Sequence, residues 1–196
     1  GLMETMALWM AVMILWYLFR YLNEKDGHVY FYLSCVIYFG VCFVHERYMA
    51  LFPLLLLVLL FKRSRKLWEW GAGLLSFLLV QIIRAFTIGS ILPAGTGGTQ
   101  VADTFSLADT FKYALSQIAY VFGINAGPEH LNGCPWGQSP LAIKGLVLLA
   151  DACIAVIVLA FLVKLVREKR KEYRVQMLKN STLFILFTGL CIASSS

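Results

Sequence analysis

The chain has 196 residues, 60% of them hydrophobic and only 14% charged, with a mean hydropathy of +0.74. Soluble domains average roughly 45–50% apolar residues, so a water-soluble fold has no interior large enough to hide this much apolar surface. The net charge of +6 does not point to nucleic acid: the basic residues gather in two segments that each abut a hydrophobic run, and no basic face stands apart from those runs.

The expectation is an all-α, polytopic transmembrane protein. A hydrocarbon core of roughly 30 Å takes about 20 apolar residues at 1.5 Å rise each. By that measure about six spans follow: Met6 to Leu22, Val29 to Val44, Tyr48 to Phe61, Leu67 to Leu92, Leu141 to Val166 and Ser181 to Ala193. The first run lacks a basic start and a small-residue cleavage pattern, so it reads as a membrane helix and not a signal peptide. Because the chain opens Gly1-Leu2-Met3 and closes Ser194-Ser195-Ser196 with no polar tail, it is expected to be a piece of a larger polytopic protein.

Three stretches organise the chain. Residues 1–92 carry four spans, 93–140 form one long loop, and 141–196 carry two spans joined by a basic connection. Lys62-Arg63-Ser64-Arg65-Lys66 and the stretch Lys164 to Lys179 hold the densest Lys/Arg, and both are expected on the cytoplasmic side. They lie two spans apart, so the two assignments agree. Loops 20–28, 62–66 and 164–180 are then cytoplasmic, while turn 45–48 and loop 93–140 are extracytoplasmic, in what is expected to be a plasma (inner) membrane. Lys164 to Lys179 reads as a helix extension whose cations meet anionic headgroups.

The long loop opens with Pro93-Ala94-Gly95-Thr96-Gly97-Gly98-Thr99. From Phe105 to Phe122, Leu107, Phe111, Leu115, Ile118 and Phe122 recur at helical spacing opposite Asp109, Lys112 and Gln117. That pattern fits a helix lying along the membrane surface, or equally one packing on the tops of the spans. Gly123 to Pro140 is a Gly/Pro/Asn-rich loop containing Glu129-His130 and Cys134-Pro135-Trp136. The remaining cysteines, Cys35, Cys42, Cys153 and Cys191, lie within apolar runs, so neither a metal pair nor a disulfide framework is implied.

The chemistry concentrates at Val44-His45-Glu46-Arg47-Tyr48, where three ionisable side chains stand in a row between two spans. The flanking spans have about 16 and 14 residues, roughly 24 and 21 Å at helical rise, so the turn is expected below the outer surface. Charges there are costly unless paired or bound to a ligand. Arg offers a forked donor for phosphate, His exchanges a proton, and Glu orients either or coordinates a metal. The plainer alternative is that Arg47 snorkels to headgroups with Glu46 as its partner.

His45-Glu46-Arg47-Tyr48, followed by Pro53 and a leucine-rich run, resembles the late-helix motif of GT-C glycosyltransferases, over the short stretch Val44 to Pro53. The resemblance implies a polytopic enzyme that moves a sugar from a polyprenyl-phosphate or polyprenyl-pyrophosphate donor at the outer face, with inversion. It implies further that Arg47 holds the donor phosphate and that His45, Glu46 and Tyr48 line the same site. The family takes its catalytic acid from the first outer loop near the start of the full protein. This chain has no Asp/Glu pair after its opening helix, so the catalytic base is expected outside it; Asp103, Asp109 and Glu129 are the weaker internal candidates.

Two further charges fall inside spans. Arg84 lies about eight residues from the outer end of the fourth and Asp151 about ten from the outer end of the fifth, roughly equal depths that suggest a pair. Such a pair either clips two helices together or leaves Arg84 lining the same lipid-phosphate cavity as Arg47. Glu129, His130 and Trp136 are candidates for an acceptor loop, Trp136 by stacking on a sugar ring, with interface anchoring as the plain alternative. No metal site is implied, although a Glu and a His in one turn permit a divalent ion. The partners expected are membrane lipids, a polyprenyl-linked sugar donor, and the remainder of the polypeptide or a membrane subunit. The rivals to the enzyme are a transporter or flippase module, with His45, Arg84 and Asp151 along its path, and a non-catalytic scaffold.

Overall fold

The structure is a computed structural model and describes residues 2–87, 89, 108, 111, 115 and 141–193. The described residues form helices and no strand: α1 Leu2–Asn23, α2 His28–Val44, a 3-10 segment Glu46–Leu51, α3 Phe52–Lys62, α4 Leu67–Thr87, α5 Leu141–Arg167 and α6 Lys171–Ala193. Two compact units divide them, one comprising Gly1–Thr104 with Leu178–Ser195 and the other centred on Phe105–Met177.

Membrane character follows from length and composition. Among the described residues four stretches are long and apolar enough to cross a membrane: Met3–Asn23, Leu67–Thr87, Leu148–Arg167 and Lys171–Ile192. The apolar α2 is shorter, at 17 residues. The expected third span differs in kind, because Glu46–Leu51 winds as a 3-10 segment and leaves α3 only 11 residues, about 16 Å of helix. Pro53, in the first turn of α3, supplies no backbone N–H to a preceding α-turn and so favours the changed winding at this point.

In the first unit α1 and α2 pack along one another through stripes of period 3.5. On α1 the buried positions include Ala7, Ala11, Ile14, Leu18 and Tyr21, and on α2 they include Phe31, Cys35, Tyr38 and Cys42. The small Ala7 and Ala11 admit a close neighbour. Trp9, Val12 and Trp16 on the other side of α1 are exposed. A helix with a buried face and an apolar exposed face suits lipid, and it explains why no polar stripe is visible in these segments.

The α1–α2 turn requires glycine. A Cβ at Gly27 would stand 3.0 Å from Tyr21 Cα and 3.1 Å from the Arg20 carbonyl oxygen, both of them backbone atoms that cannot swing away. The Lys62 ammonium, at the end of α3, donates to the carbonyls of Tyr21 and Glu24 at 2.6 Å each, satisfying acceptors that the end of α1 leaves open. Arg63 then closes α3 in the left-handed region (φ 53°), with its N–H on Leu60 O and that of Ser64 on Leu59 O, both 3.0 Å.

α4 buries a different kind of stripe: Glu69, Gly73, Ser76, Val80 and Arg84. The small middle of this stripe lies between a carboxylate and a guanidinium, about 22 Å apart along the axis. Phe77 of α4 stacks on Phe52 at 4.2 Å between centroids. The later part of α6 contributes buried Leu183 and Phe187, and the amides of Asn180 and Asn23 bond reciprocally at 3.1 and 3.2 Å.

In the second unit α5 presents apolar side chains outward along most of its length, among them Leu149, Val156, Leu159 and Val166. The basic stretch after it is not one continuous extension. The helix stops at Arg167, and Glu168 turns back to accept the Arg170 N–H at 3.0 Å before α6 starts at Lys171. Of the expected surface helix, Ala108, Phe111 and Leu115 are helical, with Phe111 and Leu115 exposed. The other residues of that segment lie outside the described ones, as do Asp103, Asp109, Glu129, His130, Cys134 and Trp136.

Candidate functional site

The turn singled out in the sequence is built by a change of backbone. α2 ends at Val44, His45 is extended (φ −155°, ψ 112°), and Glu46 to Leu51 then wind tightly. Tyr48 is buried and anchors the turn, while the hydroxyl of Tyr38 on α2 donates to the Met49 carbonyl at 3.2 Å. His45 meets the edge of the Tyr48 ring at 6.1 Å and 88°.

The charges sort themselves by depth. Arg84, whose side chain is 4% exposed, donates through Nη1 to Glu46 Oε2 at 2.8 Å, and Glu46 is itself only 15% exposed. A guanidinium facing a carboxylate at that distance inside an apolar unit is a strong, directional tie between the turn and α4. Glu46 is thus an acidic partner of Arg84 within the first unit; Asp151 is partly buried in the second.

Arg47 keeps its charge for other use. Its Nη2 donates to the Tyr48 hydroxyl at 3.3 Å, and its guanidinium lies 5.1 Å from the centre of the Tyr48 ring. Among the described residues no carboxylate forms an ion pair with it, and Glu4 at the start of α1 acts on Arg47 and His45 only through longer-range attraction. Partial burial, followed by the nearby Arg47 charge, holds the His45 imidazole below its ordinary value, so the ring is neutral at pH 7. The arrangement offers a half-buried fork of donors, a neutral imidazole and an aromatic wall, set on a turn held from behind by an ion pair.

A second polar cluster, at the other end of α4, escaped the sequence reading. Glu69 is fully buried and accepts from the Tyr21 hydroxyl at 2.7 Å, from the Ser64 hydroxyl and from His28 Nδ1. Lys66 Nζ meets His28 Nε2 at 2.8 Å. An ammonium has no lone pair to accept with, so Nε2 is the acceptor and the ring proton sits on Nδ1, directed at Glu69. The cluster gathers α1, α2, the 63–66 link and α4 around one carboxylate. The available signal was Trp68-Glu69-Trp70, an acid in the first turn of an apolar helix, together with the helical spacing that joins Glu69 to Arg84.

Among the described residues no group of three or more His, Cys, Asp or Glu is placed to hold a metal ion. Comparison of the chain with known protein families, with curated proteins and with solved structures finds no match. The arrangement defines an integral membrane helical protein with a pinned, arginine-bearing turn.

Proposed function

We propose that this chain is part of a membrane glycosyltransferase that takes a sugar from a polyprenyl-phosphate donor, and that the 45–48 turn is where the donor phosphate is held. The observation that carries the reading is the division of labour between two arginines. Arg84 is committed to Glu46, whereas Arg47 presents its guanidinium beside a neutral His45 and the Tyr48 ring. A phosphate, with two oxygens spaced to accept from the planar guanidinium fork, is a ligand that such a group favours. Arg47 binds in this reading, His45 donates one hydrogen bond, and the Arg84–Glu46 pair positions the turn. Removal of the acceptor proton falls, in this reading, to a base outside this chain.

The test is binding of a polyprenyl-phosphate sugar to the protein in nanodiscs, wild type against Arg47→Ala and His45→Ala. The expected result is binding by the wild type, a loss of tenfold or more in the Arg47 variant (about 1.4 kcal/mol) and a smaller loss in the His45 variant. Absence of binding by the wild type, or equal binding by folded variants, overturns the reading and brings the transporter and scaffold alternatives forward.

A further inference from the structure

The second unit carries a wide-open surface notch of about 580 Å³ where α5 ends and the link to α6 turns back. It is lined by the apolar Ala160 and Val163 and by the cations Lys164, Arg167, Lys169 and Arg170. Glu168 also lines it, and its carboxylate is occupied by Arg170, which bonds to it through both its backbone N–H and Nε at 3.0 and 3.3 Å. Four cations against one carboxylate leave three positive charges in excess around a single concave notch. The Tyr173 ring sits beside it, with Lys164 Nζ 5.8 Å and the Arg170 guanidinium 5.3 Å from its centre.

We propose that this notch is a binding site for the phosphate of one acidic phospholipid, whose acyl chains run along the exposed apolar face of α5. Three features select that occupant. The excess charge calls for an anion. The cations stand at the end of a helix long and apolar enough to cross a membrane, so the anion they meet there is a headgroup. The notch continues on its apolar side into exposed Val163, Leu159 and Val156, a surface for hydrocarbon and not for a free ion. The site is separate from the 45–48 turn, and it stands whether or not the donor reading does.

The experiment is native mass spectrometry of the full chain released from nanodiscs of phosphatidylcholine with a minority of phosphatidylglycerol, counting lipids retained. Lys164, Arg167 and Arg174 are all exposed, so their replacement by Gln leaves no buried group without a partner. Wild type is expected to retain phosphatidylglycerol in preference to phosphatidylcholine. Lys164→Gln/Arg167→Gln is expected to weaken retention about thirtyfold, at roughly fivefold for each charge. Arg174→Gln, a cation of α6 that does not line the notch, is expected to leave retention unchanged. The proposal fails if the double variant retains the lipid as wild type does, or if Arg174→Gln matches its loss, which would mean diffuse attraction only. It fails also if millimolar inorganic phosphate displaces the lipid, which would mean a site for a soluble anion.

Discussion

Replacing Glu69 by alanine strips one acceptor from three donors at once, and its cost follows from where each donor sits. The Tyr21 hydroxyl is completely buried, so it bears the full penalty of an orphaned donor, about 1–3 kcal/mol. His28, 32% exposed, and the partly buried Ser64 are able to turn toward water, and each adds about 1 kcal/mol. Together the three orphaned donors bring the whole to about 3–5 kcal/mol. Tyr21→Phe removes one donor and leaves the carboxylate with the others, at about 1–1.5 kcal/mol. The two are coupled: in the double variant the tyrosine loss is already contained in the glutamate loss, so the effects are far from additive. The assay is equilibrium unfolding by denaturing detergent in mixed micelles, read by helical circular dichroism, with Glu69→Gln as the isosteric control of intermediate cost. A loss below about 1 kcal/mol for Glu69→Ala, or strict additivity with Tyr21→Phe, would refute the account of Glu69 as a shared acceptor.

Arg84→Glu alone places two carboxylates face to face and is expected to abolish stable folding or cost more than about 3 kcal/mol, while the exchange Arg84→Glu/Glu46→Arg restores a large part of it. The same unfolding assay decides, and a double variant no better than the single ones would show that the pair is not the tie. His45 has a folded-state value below the 6.5 of the free side chain, so the unfolded chain takes up the proton first as pH falls. Its contribution is level above that value and becomes destabilising as pH drops through and below 6.5. Unfolding midpoints collected from pH 8 to pH 5 are therefore expected to fall less steeply in His45→Gln, and parallel curves would count against the lowered value.

The sequence announced helices through composition and run length, and several boundaries were legible from it. α2 closes at Val44 because three ionisable residues follow, and the 63–66 link separates α3 from α4 where the basic residues crowd. The depth of Arg84 demanded a partner, and the partner proved to be acidic. Identity was the hard part, since the depth argument pointed to Asp151 and only the tertiary arrangement brings Glu46 to α4. The short third helix was hidden because a leucine run looks alike whether or not its first turn winds as 3-10. The Glu69 cluster was hard to assemble from the sequence for a different reason. His28 and Glu69 are 41 positions apart, and each reads by itself as an ordinary polar residue at a helix end.

α4 is held at both ends of one face, by Glu69 against α1, α2 and the preceding link and by Arg84 against the 45–48 turn. A piston stroke of one turn, about 5.4 Å, would carry both side chains off their partners together, and rotation about the axis by one residue, about 100°, would do the same. Sliding and screwing are thus closed to this helix at any modest energy. What remains is movement of α4 as a single piece with the helices that pin it.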